Sequence, residues 1–364
     1  MATAGPSSTT STSGAGTSVG LPDQVTVRAP RTWRLPRPAA VALRLVALLA
    51  ATSVVTFALV AASPVDPVKA NLGQAAYAQM SDAQRAELAE YWGADTPLPQ
   101  RYAHWLKGAL RGDLGQSLRF GRPVTEVVGE RSANSLALMA GAWLLAGVLG
   151  LALGVAAGAR RGGPLDRAVT GICLVLSSMP SFWLGLVALM VFSVGLGWFP
   201  LGFSVPIGVD ATQVSWASRL HHLVLPALVL GVANAPSIAL HTREKTIEVM
   251  QGDCARFALS RGETRRQVLL RHGLRNLVLP AVTLECASVG EVFGGSVLVE
   301  QVFSYPGLGQ AAVTAGLGGD APLLVAIALA SAVVVFAGNA AGDVICALVD
   351  PRIREGRREA HGAS

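Results

Sequence analysis

The sequence predicts an all-α integral membrane protein: six transmembrane helices, an extracytoplasmic helical insert after the first, and a short cytoplasmic helix between the fourth and fifth. Three observations predict it. Apolar residues make up 51% of the 364-residue chain and charged residues only 14%, far from the balance of a soluble domain. The apolar residues gather in runs long enough for a hydrocarbon core of about 30 Å. Lys and Arg gather in every second connection, whereas the two short intervening loops share one arginine, Arg219. That bias places basic segments in the cytoplasm and sets both termini there.

Residues 1–38 are rich in Ser, Thr, Gly, Ala and Pro without apolar periodicity, the composition of a disordered tail. Arg28, Arg31, Arg34 and Arg37 keep this end cytoplasmic. The first span, Val41 to Ala62, is too long and starts too late for a cleaved signal peptide. Arg44 can snorkel at its inner end. Residues 63–133 are polar with balanced charge. They include an amphipathic stretch from Ser81 to Tyr91, and they read as a mostly helical outer cap with Tyr102 and Trp105 at the interface.

The second span is Ser135 to Ala157. A short loop with Arg160, Arg161 and Arg167 follows. The third, Ala168 to Gly197, is interrupted by Pro180, which is expected to kink it. Trp198, Phe199 and Pro200 mark the outer interface. His221 to Leu240 is the fourth span and Leu277 to Val302 the fifth. The connection 303–320 has no Lys or Arg and reads as an outer loop. Ala321 to Leu348 is the sixth span, with Asp320 placed to cap it and Pro322 in its first turn. Arg352, Arg354, Arg357 and Arg358 follow. The domain reading is a tail (1–38), a transmembrane domain (39–354, with the insert at 63–133 and a core at 134–348) and a second tail (355–364).

Residues 243–276 hold eight Lys/Arg against four acidic residues. Met250, Cys254 and Phe257 recur at i, i+4 and i+7, as on one apolar face of a short helix. Gly262 suits the left-handed position past a helix end. Thr264 and Gln267 form a capping-box pattern that opens a second helix. Two short helices joined at a glycine can lie on anionic lipid or serve as a docking element for a soluble partner.

Several chemistries lack their signatures. The chain has no phosphate-binding loop, nucleophile elbow, zinc-type His pair or dinucleotide fingerprint. Cys173, Cys254, Cys286 and Cys346 are scattered and read as apolar fillers. The arginines border apolar spans without interleaved aromatics, which argues against nucleic acid. Uphill transport would therefore draw on a partner ATPase or an ion gradient. An ion-coupled transporter would be expected to show internal repeats, and the sequence has none. A membrane sensor would need a soluble signalling domain, and no segment is long enough.

Glu285 and Glu291 fall in the fifth span, where acids are costly. Six residues apart, they project about 120° from one another. Together with Pro180 they are the candidates for a translocation path that meets a cationic or amine-bearing solute. The alternative is a role in bonding to neighbouring helices, the role assigned to Asn234, His241, Asn339 and Asp343.

The stretch with Asp253, Ala255, Arg256, Ala258, Gly262, Leu279 and Pro280 resembles the cytoplasmic loop of ATP-binding-cassette importer permeases of the dipeptide/oligopeptide/nickel branch. In that branch an acidic residue opens an Ala- and Arg-rich helix, a glycine follows, and Leu-Pro comes later. Further blocks in the expected order are DPV (Asp66–Val68), QRY (Gln100–Tyr102) and RGDLGQSL (Arg111–Leu118). PV (Pro123–Val124), MPSFWLGL (Met179–Leu186), LGWFPLG (Leu196–Gly202), RHGLRN (Arg271–Asn276), EQVFSYPGLGQ (Glu300–Gln310) and DPRIR (Asp350–Arg354) complete the set. The resemblance covers roughly residues 40–354. Cys254 stands where an aromatic is usual and Phe257 where a small residue is usual. Asn134 and the segment YWGADTP also depart from the pattern, and Glu285 and Glu291 make the fifth span unusually acidic.

The resemblance implies a permease subunit in the cell membrane. It implies no cofactor and no enzymatic activity of its own, with ATP hydrolysed by cytoplasmic ATPase subunits. Asp253, Ala255, Arg256, Phe257, Ala258, Arg261 and Gly262 would couple to those subunits. An extracytoplasmic binding protein would deliver substrate, and a second homologous permease would complete the path. Di- or oligopeptides are the implied cargo and nickel the alternative, although no histidine cluster for a metal is evident.

Overall fold

A computed structural model describes residues 37–63, 67–72, 79–84, 96–206, 208–209 and 213–349. Both tails, residues 85–91 of the amphipathic stretch and most of the YWGADTP segment lie outside them. The chain divides into Met1–Val41, of which only the start of one helix is described, and Ala42–Ser364. The second unit is helical, apart from an isolated antiparallel bridge between Gln116 and Pro123 among the described residues.

The helices are α1 (Arg37–Ala62), α2 (Pro67–Leu72), α3 (Leu98–Ala109), α4 (Val124–Gly158), α5 (Pro164–Ser178) and α6 (Ser181–Ala188), which continues as π-helix through Leu189–Gly195. They go on as α7 (Trp216–Gln251), α8 (Asp253–Ser260), α9 (Arg265–Val268) with a π-helical turn at Leu269–Gly273, α10 (Leu274–Ala287), α11 (Val289–Val302), α12 (Leu308–Gly318) and α13 (Ala321–Val349). Four of them, α1, α4, α7 and α13, are long and apolar enough to cross a membrane, and the count rises to six if each of two bent pairs is one span.

The bent pairs correct the sequence reading. The third span is far more than kinked: α5 and the α6 segment turn by 106° at Pro180. The proline ring pushes the preceding residue out of the helical region, and Met179 is extended at φ −93°, ψ 133°. The fifth span also breaks, by 56° between α10 and α11. There Ser288 turns its amide and its hydroxyl back onto the Glu285 carbonyl, at 3.2 and 2.8 Å. Two further elements differ from expectation. α4 begins at Val124, well inside the segment read as insert. The connection 303–320 is no simple loop, because it contains α12 with Leu308, Ala311 and Ala315 fully buried.

The most extensive helix–helix contact among the described residues is between α4 and α7. Gly150, Gly154 and Gly158 recur every four residues along one stripe of α4, so α7 can approach to backbone distance. A Cβ on Gly150 would stand 2.6 Å from Ile238 Cβ, one on Gly154 2.5 Å from the Ala239 carbonyl oxygen, and one on Gly158 2.6 Å from Thr246 Cβ. α7 carries Pro226 and Pro236 internally yet runs unbroken for 36 residues, about 54 Å.

Nearer the start of α4, α12 is capped by its neighbours. Ser135 of α4 accepts from the Leu308 amide at 2.7 Å and donates to Glu300 of α11 at 2.6 Å. Glu300 is fully buried and also accepts from the Gln310 amide at 3.0 Å. Its carboxyl occupies the space a Cβ on Gly307 would need, 2.3 Å away. Asn134 adds a bond to the Pro306 carbonyl at 2.8 Å. Asp320 caps α13 as expected, accepting from the Leu323 amide at 3.2 Å. Its second oxygen accepts from the Ser117 hydroxyl at 2.6 Å and the Arg119 amide at 3.1 Å, which draws the end of the insert onto the core. α3 closes onto α1: Tyr102 shares a 2.8 Å hydrogen bond with Ser53, and its ring and that of Trp105 pack on Phe57.

Glu300→Ala would strip the acceptor from two donors at once, the buried Ser135 hydroxyl and the partly buried Gln310 amide. Losses of that kind run to about 3 kcal/mol. The expected result is a lower melting temperature in detergent and a reduced folded yield, measured by size-exclusion chromatography. An unchanged melting temperature would show that α12 does not depend on this cap.

Candidate functional site

The site is built where α7 ends. Gly252 turns the chain in an extended conformation (φ −68°, ψ 161°), and α8 starts at once with Asp253 in its first turn. At the far end Gly262 adopts φ +89°. The Glu263 amide donates to the Ala258 carbonyl at 3.2 Å and the Gly262 amide to the Leu259 carbonyl at 3.0 Å, the paired bonds of a Schellman ending. Thr264 then opens α9 with the capping box: its hydroxyl accepts from the Gln267 amide at 3.3 Å, and the Gln267 side chain accepts from the Thr264 amide at 2.8 Å. Both features of this hairpin were legible as residue patterns.

The apolar face was placed on the wrong side. Cys254 and Phe257 point outward, and Phe257 is 64% exposed. Met250 belongs to α7, since the chain breaks helix at Gly252. The face that holds α8 in place is Ala255, Ala258 and Leu259, packed on Val268 and Met250. Small residues there let α8 lie close on α9.

The predicted coupling residues therefore separate into two groups. Asp253, Arg256, Phe257, Arg261 and Gly262 are exposed, whereas Ala255 and Ala258 are buried and hold the hairpin together. Asp253 pairs with Arg256 along the outer face. The Arg261 guanidinium lies 5.8 Å from the centre of the Phe257 ring. The outer face is thus one aromatic ring framed by charge. A helix lying on lipid would present a continuous apolar stripe. Here that stripe is already spent against α9.

The candidates for a translocation path do not converge. Pro180 is exposed at the 106° turn. Glu291 is exposed in the first turn of α11. Glu285 lies on the other side of the 56° break and is only 4% exposed. Its carboxylate faces Gly147 of α4, and neither oxygen has a hydrogen-bond partner among the described residues. Its backbone carbonyl accepts from Trp143 Nε1 at 3.0 Å.

Sequence reasoning missed two acids. Glu300 was passed over inside a motif block, although two glycines follow it closely. Asp166 was passed over in a loop read for its three arginines. It is 2% exposed and pairs with Arg243 of α7.

The stretch from the glycine stripe of α4 through the hairpin and beyond α13 is also where the chain matches a known family. The profile described as "Binding-protein-dependent transport system inner membrane component" aligns with residues 150–355. The chain belongs to this family. It is a membrane transport component and not an enzyme. Among its relatives, the oligopeptide transport system permease protein AppB of Bacillus subtilis (strain 168) is 36% identical over 309 residues, covering 84% of this chain and 95% of that protein. The di/tripeptide transport system permease protein DppB of Pseudomonas aeruginosa (strain UCBPP-PA14) is 33% identical over 320 residues, with 84% and 94% covered. The glutathione transport system permease protein GsiC of Escherichia coli O6:H1 is 35% identical over 312 residues, with 86% and 96% covered. A solved structure of the MetNI methionine ABC transporter in inward-facing conformations aligns at TM-score 0.49 and 20% identity, over 62% of this chain and 97% of that chain.

Proposed function

We propose that this family member is the permease subunit of an ATP-driven importer of di- or oligopeptides, and that α8 is the seat for its cytoplasmic ATPase. The observation that carries the seat is the division of α8 into an inner face of small residues and an outer face of Phe257 among charges. The peptide cargo is supported by three relatives whose names specify oligopeptide, di/tripeptide and glutathione transport. ATP binding closes the ATPase dimer and displaces α8, and α7 carries that displacement into the bundle. An extracytoplasmic binding protein supplies cargo to the outer side, and a second homologous permease completes the path. Six spans with both termini in the cytoplasm fit this arrangement, each bent pair counting as one span. Glu285, Glu291 and Pro180 belong to the translocation path in this reading. Glu285, a buried acid without a partner, would meet the cargo's ammonium group when the helices part.

The experiment uses the chain's own thiol. Cys254 is exposed on the outer face, whereas Cys173 and Cys286 are buried. With Cys173, Cys286 and Cys346 replaced, Cys254 is expected to cross-link to a cysteine in the groove of the candidate ATPase, with a yield that changes on adding ATP. Absence of any cross-link in a folded, co-purified complex would dismiss the seat. Uptake of labelled di-, tri- and longer peptides into vesicles then decides the cargo.

Gly262→Pro provides an independent check. Proline fixes φ near −65° and has no amide hydrogen, whereas Gly262 sits at φ +89° and donates to Leu259. The expected variant inserts normally but hydrolyses ATP without uptake. Normal uptake would show that the hairpin geometry is not needed to pass force.

A further inference from the structure

Arg243 stands where three helices meet. Its backbone is pressed against α4: a Cβ on Gly154 would lie 3.0 Å from its nitrogen, and one on Gly158 2.7 Å from its carbonyl oxygen. Its side chain reaches the other way, into α5. Nε donates to Asp166 Oδ1 at 2.5 Å and Nη2 to Asp166 Oδ2 at 2.9 Å, the two-pronged fit of a guanidinium to a carboxylate. Oδ2 also accepts from the Gly162 amide at 2.8 Å, so the connection from α4 to α5 is drawn into the same knot. An exposed pair would contribute little. With the Asp166 side chain only 3% exposed, loss of Arg243 would leave a buried carboxylate unpaired, and the pair is correspondingly hard to open.

Its position gives the knot a use. Arg243 precedes Gly252 on an uninterrupted stretch of α7, about 13 Å along the axis. From Asp166, α5 continues to Ser178, and the 106° turn at Pro180 leads into α6. A Cβ on Gly185 of α6 would lie 3.2 Å from Val302 Cγ1 and 3.5 Å from the Phe303 ring. A continuous packed route therefore joins α8 to the far end of α11 without passing through α10.

We propose that the Asp166–Arg243 pair is the joint through which displacement of α8 passes to the α5–α6 arm, and that it stays closed throughout the transport cycle. Both are positioning residues, and neither touches cargo. The inference rests on α8 being the ATPase seat.

The test uses the complete transporter in lipid vesicles, in complexes where the Cys254 cross-link forms, so that failure of the seat is detected separately. Asp166→Asn is expected to lower peptide uptake at least tenfold while ATP hydrolysis by the assembled complex falls less than twofold. Parallel loss of both activities, or unchanged uptake, would overturn the proposal. A second measurement leaves the pair intact. Spin labels placed at Glu244 on α7 and Ala168 on α5, both exposed, report the distance between the helices. That distance is expected to be the same in nucleotide-free and nucleotide-trapped complexes. A distance that changes with nucleotide means the joint opens, and the proposal fails.

Discussion

Gly154→Leu is expected to leave little folded protein in the membrane. The reason lies in what α4 presents to α7 at this position. A Cβ alone would stand 2.5 Å from the Ala239 carbonyl oxygen, 2.6 Å from Thr242 Cβ and 3.0 Å from the Arg243 nitrogen. Two of those three atoms are backbone, so no rotamer change relieves the contact. The helices must separate, and Gly150 and Gly158, one turn away on either side, lose their fit with them. Overpacking a well-filled core usually costs about 1–3 kcal/mol, and a backbone clash along a whole helix pair belongs at or beyond the upper end. Membrane helices gain no hydrophobic driving force from meeting one another, so close packing is most of what holds them. The measurement is the fraction of monodisperse protein after extraction, beside Gly171→Leu as control. A Cβ on Gly171 would meet nothing within 4 Å. Equal yields from the two variants would show that the glycine stripe does not set the α4–α7 distance.

Phe257→Ala is expected to lower peptide uptake about thirtyfold with no change in the amount of folded permease. Phe257 is 64% exposed and makes no part of the cluster that seats α8 on α9. Its removal costs the isolated chain almost nothing. An aromatic anchor at the centre of an interface is commonly worth about 2 kcal/mol, which is roughly thirtyfold in binding. The effect should therefore appear as weaker co-purification of the ATPase and should be partly recovered by raising its concentration. Ala258→Leu is the complementary variant. Ala258 is 6% exposed against Val268, so a larger side chain there should lift α8 off α9 and lower stability itself. If Phe257→Ala lowers stability while Ala258→Leu leaves it unchanged, the assignment of the two faces is inverted.

Local patterns were the legible part of this chain. Gly262, Thr264 with Gln267, and Asp320 in its bond to the Leu323 amide each act within a few residues of themselves, and each does what its pattern implies. The apolar runs were legible for the same reason, because length and composition are local. What could not be read depended on long-range partners. Cys254 and Phe257 fit a helical period as well as Ala255 and Ala258 do. Only the presence of α9 decides which face is inside. Pro180 announces a break, but the 106° angle is set by what α6 finds to pack against, at Gly185 and Phe303. Glu300 and Asp166 became significant only through Ser135 and Arg243, 165 and 77 residues away in sequence. The helix α12 escaped notice because its N-terminal amides are satisfied by other helices, so no capping residue of its own marks its start.

The hairpin keeps what fixes it apart from what it displays. Its turn is closed by backbone bonds and one Thr–Gln exchange, and its inner surface needs little more than two alanines. The outer surface, Phe257 and the charges beside it, takes no part in the apolar cluster that seats α8 on α9. On the proposed seat, a permease built this way could acquire a new motor subunit while its route through the bilayer stays as it was. Exchange of residues 252–268 between relatives should therefore transfer the choice of ATPase and leave the choice of cargo behind.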